Sequence, residues 1–391
     1  MNSNHLLASL VSIALFASIL ACGDNNDGGE NNLMGPDGTL TCERISEDTV
    51  WEDRGDGVDY IIPGGTGCSP MQISAKLTIA PGVTIAMGPG SGLLVNEGGQ
   101  LVAKGSDQAP IVFQGTETTP GHWGSIRIDS AVSPSELEFV TVRHAGPAST
   151  GPSLNESSSV RLVGAVSLKD VTIEQGAAIG LVVTKKNLGL TDQSLERVRV
   201  TGHAEAVLAL TERVPLLGGA GNSFAGNTLD HVRLLDPSTK DTLSFPKLDV
   251  PYMIQADSGL SITDDGALTL EPGVELVVPG GQSIAVSNRA KFIAKGTSAD
   301  PVILRGSVQE AGSWSGLFFN GSTSGDLEQV VVRHTGADER SIQLKNNAQL
   351  TLKDVTFEQT NNACAVLADD NAVVTVDGTT TSDGASVECA E

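Results

Sequence analysis

The sequence predicts an all-β chain wound as a solenoid of short strands, on three observations. Apolar residues come in brief alternating bursts: Leu77 and Ile79, Ile111 and Phe113, Ile126 and Ile128, Val140 and Val142, Val171 and Ile173. Gly, Pro, Asn or Asp soon breaks each burst, which is the signature of a short strand. The bursts also recur at coil length, with 24 residues from Leu77 to Leu101 and 25 from Leu101 to Ile126. Thirdly, the chain repeats itself in order. LTIAPGV at 77–83 returns as LTLEPGV at 268–274, LEFVTVRHAG at 137–146 as LEQVVVRHTG at 327–336, and LKDVTIEQ at 168–175 as LKDVTFEQ at 352–359. The offset drifts from 191 through 190 to 184, so insertions and deletions fall in turns. No stretch after Cys22 sustains a helical stripe, although AEAVLALTER at 204–213 has room for a helical turn or two.

Composition narrows the partners. Among 391 residues, 47 Asp and Glu outweigh 24 Lys and Arg, a formal net charge of −23. That balance opposes binding to nucleic acid or to an anionic membrane surface. The 45 glycines and an aromatic fraction of only 4% describe many turns and a core of small aliphatic side chains.

Taken in order, the chain begins with an export signal. Leu6 to Leu20 is an uncharged apolar run of 15 residues, short for a bilayer span, and it ends Ile19-Leu20-Ala21-Cys22. That ending resembles the lipobox of bacterial lipoproteins, although Met1 to His5 carries no Lys or Arg. The resemblance implies removal of residues 1–21 and an acylated, palmitate-bearing Cys22 at the new N-terminus, inserted in a membrane of the cell envelope. Gly23 at the following position leans towards the outer membrane, on its periplasmic or its surface face. Residues 22–38 read as a flexible acidic tether with a reach of roughly 20 to 24 Å. Its Asp24, Asn26 and Glu30 are oxygen donors, but Gly28 stands where an EF-hand loop needs a ligand.

Residues 39–76 then form an N-terminal cap, 77–236 a first module, and 237–391 a second module with a C-terminal cap. The run from LTIAPGV through LVAKGSDQAPIVFQG, HWGSIRI and LEFVTVRHAG looks like the right-handed parallel β-helix modules of bacterial surface lipoproteins in the pectin-lyase-like superfamily. Coils of roughly 22 residues stacked at about 4.8 Å would number about 15 and make a rod on the order of 70 Å. Open stacks need protected ends. Cys42 and Cys68 precede the first LTI motif, while Cys364 and Cys389 lie in the last 28 residues. Export into an oxidising compartment makes Cys42–Cys68 and Cys364–Cys389 the expected disulfides, each closing a loop of about 25 residues and contributing about 3 kcal/mol.

Candidate chemistry is sparse. Arg143-His144 recurs as Arg333-His334, and Trp123 recurs as Trp314. A binding reading gives the arginines a carboxylate, the histidines a proton to move and the tryptophans a sugar ring; a structural reading makes all six corner residues, and their repetition favours it. GPGSG at 88–92 lacks the lysine of a phosphate loop, and GSWSG at 312–316 has Trp at its centre instead of Ser. His203 and His231 have no partner at metal-ligand spacing. Asp129, Glu136, Asp326 and Glu328 either bind calcium or keep the rod soluble. No other cofactor is expected. The reading that follows is a non-catalytic, lipid-anchored envelope rod for adhesion to glycan or protein, or for envelope structure. The alternative is a polysaccharide lyase or glycoside hydrolase on the same fold.

Overall fold

A computed structural model describes residues 37–65, 69–147, 157–185, 189, 192–337, 340–369, 371–383 and 386–390. The signal, Cys22 and nearly all of the tether lie outside that set. The described residues belong to one compact unit, Leu33–Glu391, which holds both sequence repeats. Among the described residues every strand pairing is parallel, in sheets of 10, 13, 7 and 6 strands, and the architecture is a parallel β-solenoid. The longest sheet has 13 strands, fewer than the 15 coils expected. At about 4.8 Å per step this gives a rod on the order of 60 Å. The coils also start earlier than Leu77, since Thr49–Trp51 already pairs with Leu77–Ile79.

One coil shows how the sequence makes the fold. Lys76–Ile79, Thr84–Met87 and Leu93–Val95 form three sides, and each stacks on its equivalent in the next coil: Leu77 on Leu101, Ile85 on Phe113, Leu93 on Ile126. Alternate side chains point inward and are fully buried, giving one continuous core along the stack. The turn between the first two sides often shrinks to a single residue. Ser135–Arg143 and Val166–Glu174 are nine-residue strands with inward positions at 135, 137, 140 and 142, and at 166, 168, 171 and 173. Phe139 (φ 50°) and Asp170 (φ 54°) absorb the bend in the left-handed region, as do Gln329 (φ 52°) and Asp354 (φ 52°) in the second repeat. The apolar-x-x-apolar spacing in LEFV, LKDV and LEQV is the sequence form of that corner.

The N-terminal end is closed by buried Leu40, Ile45, Trp51 and Tyr60. The Trp51 and Tyr60 rings stack with centroids 5.0 Å apart. Strands continue to Ala390 at the other end, where Val373 and Val376 of the last coil are 54% and 43% exposed.

The two repeats do not continue the same sheets. Ile111–Gly115 lies in the 10-stranded sheet, whereas its sequence equivalent Val302–Gly306 lies in the 13-stranded sheet. Ile126–Ile128 lies in the 13-stranded sheet, and its equivalent Gly316–Asn320 in the 7-stranded one. The second repeat is therefore set one face round the axis. The change occurs where Leu229–Leu235 stacks on Glu205–Leu210 and carries Tyr252–Ile254. The stretch with helical potential divides there: 205–210 is strand, Thr211–Arg213 a 3-10 turn and Val214–Leu217 a single α-turn with Pro215 near its start. The following residues lie along the edge of the 10-stranded sheet. Arg197 N donates to Ala220 O at 2.9 Å, Ser223 N to Val198 O at 2.9 Å and Asn222 Nδ2 to Leu195 O at 3.1 Å.

Candidate functional site

The repeated Trp, Arg and His come together at one corner in each repeat. Trp123 is fully buried, its Nε1 donates to Arg143 O at 2.8 Å, and its backbone N donates to His144 O at 3.4 Å. Trp314 does the same with Arg333 O at 2.7 Å and His334 O at 3.3 Å. The histidines follow directly on the arginine strands at φ 66° in both copies. Each is buried, and each donates from Nε2 to a glutamine one coil on: His144 to Gln175 Oε1 at 3.2 Å, His334 to Gln359 Oε1 at 2.9 Å. Burial, reinforced by Arg143 and opposed by the Gln175 bond, holds the His144 imidazole below its ordinary pKa.

The arginines point outward and are engaged. Arg143 donates from Nε and Nη2 to Gln114 Oε1 at 3.2 and 2.5 Å. Arg333 lies 2.8 to 2.9 Å from Glu358 Oε1. A shallow pocket lined by Thr118, Pro120, Arg143, His144, Gln175 and Gly202 opens over the first corner. The indoles lie beneath the surface and offer no ring to a sugar. The corner is a lock, in which an indole satisfies a strand-end carbonyl and an imidazole ties one coil to the next.

The acids considered for calcium each face a cation. Asp129 pairs with Arg127 at 2.7 Å, Glu136 with Lys104, Asp326 with Lys295 at 2.6 Å and Glu328 with Lys353 at 2.6 Å. Three of these pairs join adjacent coils, so they read as a charge ladder. Among the described residues no group of three His, Cys, Asp or Glu is placed to hold a metal ion.

Cys364 is buried on the penultimate coil, whose strand pairs with the one carrying Cys389. Cys68 and the Cys389 side chain lie outside the description, as does the acylation site at Cys22.

Two polar groups escaped sequence reasoning. Ser159 Oγ lies 2.9 Å from His203 Nε2, and both residues are buried. The Glu205 carboxylate accepts from His231 Nε2 at 3.1 Å and from Arg233 Nε and Nη2 at 2.6 and 2.9 Å. Burial pushes the Glu205 pKa up, but these bonds outweigh it and hold the group below the ordinary carboxylate value. Both groups join residues one or two coils apart, a separation that no short motif can display. A serine-histidine pair suggests a nucleophile and its base. Ser341, at the register position of Ser159, takes Asn362 Nδ2 at 2.6 Å instead, which marks a polar plug common to both corners. Comparison with protein-family models, with curated proteins and with solved structures gives no match.

Proposed function

We propose that the protein is a non-catalytic, lipid-anchored rod of the bacterial cell envelope, built for surface binding, adhesion or envelope structure. Its coils take the right-handed, pectin-lyase-like form, and residues 77–236 and 237–391 are tandem modules. Cys22 carries the lipid, palmitate included, after loss of residues 1–21, in the outer membrane. Residues 22–38 hold the rod off that membrane. Cys42–Cys68 and Cys364–Cys389 staple the two ends. The ligand is a glycan or a protein, and the outer faces of the strands present it with a regular array spaced by the coils.

One observation carries the reading. The Trp123 and Trp314 indoles and the His144 and His334 Nε2 atoms are engaged in the same internal lock in both repeats, while the Arg143 and Arg333 side chains are held outside it by Gln114 and Glu358. Catalytic groups usually converge on one cleft, whereas these recur at equivalent corners with their polar atoms directed at the scaffold.

The test is expression of the full chain in a bacterium, with mass analysis of the N-terminal peptide and a polysaccharide screen with calcium and with chelator. A diacylglycerol-bearing Cys22 and glycan binding without product release are expected, with Cys22→Ser abolishing membrane association. Shortened or unsaturated product would replace this reading with a lyase or hydrolase.

A further inference from the structure

His203 stands at a corner of the first repeat and is 2% exposed. Its Nε2 meets Ser159 Oγ, and among the described residues its Nδ1 has no hydrogen-bond partner, as holds also for His144 and His334, whose Nε2 atoms are tied to glutamines. The His203 ring fits only because its neighbours are glycines. A Cβ on Gly176 would fall 2.6 Å from Ser159 Oγ and 2.5 Å from His203 Nε2, and a Cβ on Gly180 would fall 3.2 Å from His203 Nδ1. Directly over this layer lies a pocket of about 500 Å3, lined by Gly176, Gly202, Gly226 and Asn227 among others, with His203 itself in its wall.

The groups that face the ring in the described structure are neutral. Ser159 comes from strand Ser158–Leu162, Gly176 and Gly180 from the next coil, and Asn227 from the coil after His203's own, where its Oδ1 accepts from His203 N at 3.0 Å. Glu205 follows two residues later, but His231 and Arg233 hold its carboxylate. His144, one corner earlier, sits with Arg143, Glu174 and Gln175. An imidazolium at position 203 would thus gain a buried N–H without an acceptor and a charge without a carboxylate.

We propose that this corner is an acid-operated latch: on gaining a proton, His203 leaves Ser159 and turns out into the pocket above it, loosening the first repeat while the second stays closed. Among the described residues the same plug in the second repeat is Ser341 with Asn362 and Thr335, and the neighbouring buried His334 is tied to Gln359 and not to Ser341. Burial pulls the His203 pKa down to about 4, opposed by the nearby polar groups of Thr201 and Asn227, neither of which is hydrogen-bonded to Nδ1. The sign follows. The unfolded or opened state binds a proton near 6.5 and the closed state near 4, so the latch is fully closed above 6.5 and is lost as pH falls towards 4.

Hydrogen exchange on the full chain between pH 7 and pH 4 tests the latch. Amides of Ile179–Val183 and Glu205–Leu210 are expected to lose at least tenfold protection in acid, while Gly316–Asn320 and Arg340–Lys345 keep theirs. His203→Gln, which retains a hydrogen-bonding group and cannot charge, is expected to hold protection in both repeats. Equal loss in the two repeats, or the same loss in His203→Gln, would overturn the proposal. NMR titration of the wild-type ring gives a check that needs no variant. A midpoint well below the ordinary imidazole value is required, and a midpoint near 6.5 defeats the latch.

Discussion

An indole that donates inward to the carbonyl closing a strand ties two segments of the coil together inside the core. Trp123→Phe strands the Arg143 carbonyl, and Trp314→Phe strands that of Arg333, each among fully buried neighbours. A loss of about 1–3 kcal/mol is expected in each case, because a buried acceptor loses its donor. Urea unfolding of the two variants should give matching losses, and a loss confined to one would show that the corners differ in kind. Phe139 makes the opposite case. It is a bulky residue at φ 50°, where its counterpart one coil on is Asp170. Phe139→Asn is expected to raise stability by about 0.5–1 kcal/mol, since Asn enters the left-handed region more cheaply; a lower melting temperature would mean that the ring contributes more than the backbone strain costs. The pattern of Trp, Arg and His was legible because it occurs twice. Ser159 with His203 was not, since 44 residues separate the two.

At the scale of elements, strand positions could be read because each side of a coil buries alternate residues, and the one-residue corner leaves its apolar-x-x-apolar trace. The change of sheet between repeats could not be read. The Leu229–Leu235 strand has the alternation of any other, and only its pairing with Glu205–Leu210 decides which face it extends. What ends the 10-stranded sheet is the backbone of 218–223 laid along its last strands. Gly219 is required there, because a Cβ would collide with the Leu195 carbonyl oxygen. Gly219→Ala is expected to cost about 1–3 kcal/mol, in the range of overpacking in a closed core. Exchange protection should fall first in Gln193–Glu196 and Arg199–Thr201. Gly280→Ala is the control, since the added carbon would meet only Ser313 O, at 3.6 Å. Neither glycine lies at positive φ, so an equal cost at both sites would reduce the effect to the general cost of replacing a glycine and not to the collision at Leu195.

Over the whole molecule, stability passes from coil to coil, so the weakest junction decides whether the rod melts as one body. That junction is the change of face: the 10-stranded sheet ends there, the 7- and 6-stranded sheets begin there, and only the 13-stranded sheet runs through. Glu205 clips that sheet across the crossing, from one strand to Arg233 and His231 on the next, with side chains 11% to 15% exposed. Glu205→Gln leaves Arg233 largely buried without its carboxylate, at a cost of about 3 kcal/mol. Glu328→Gln breaks a coil-to-coil pair of the same chemistry within the second repeat, where Lys353 is 44% exposed and the loss should stay below about 1 kcal/mol. Calorimetry should then find one transition for the wild type and for Glu328→Gln, and two for Glu205→Gln, as the first repeat melts ahead of the second. A single transition in all three, with equal small losses, would place the coupling between repeats in the shared apolar core and not in the clip.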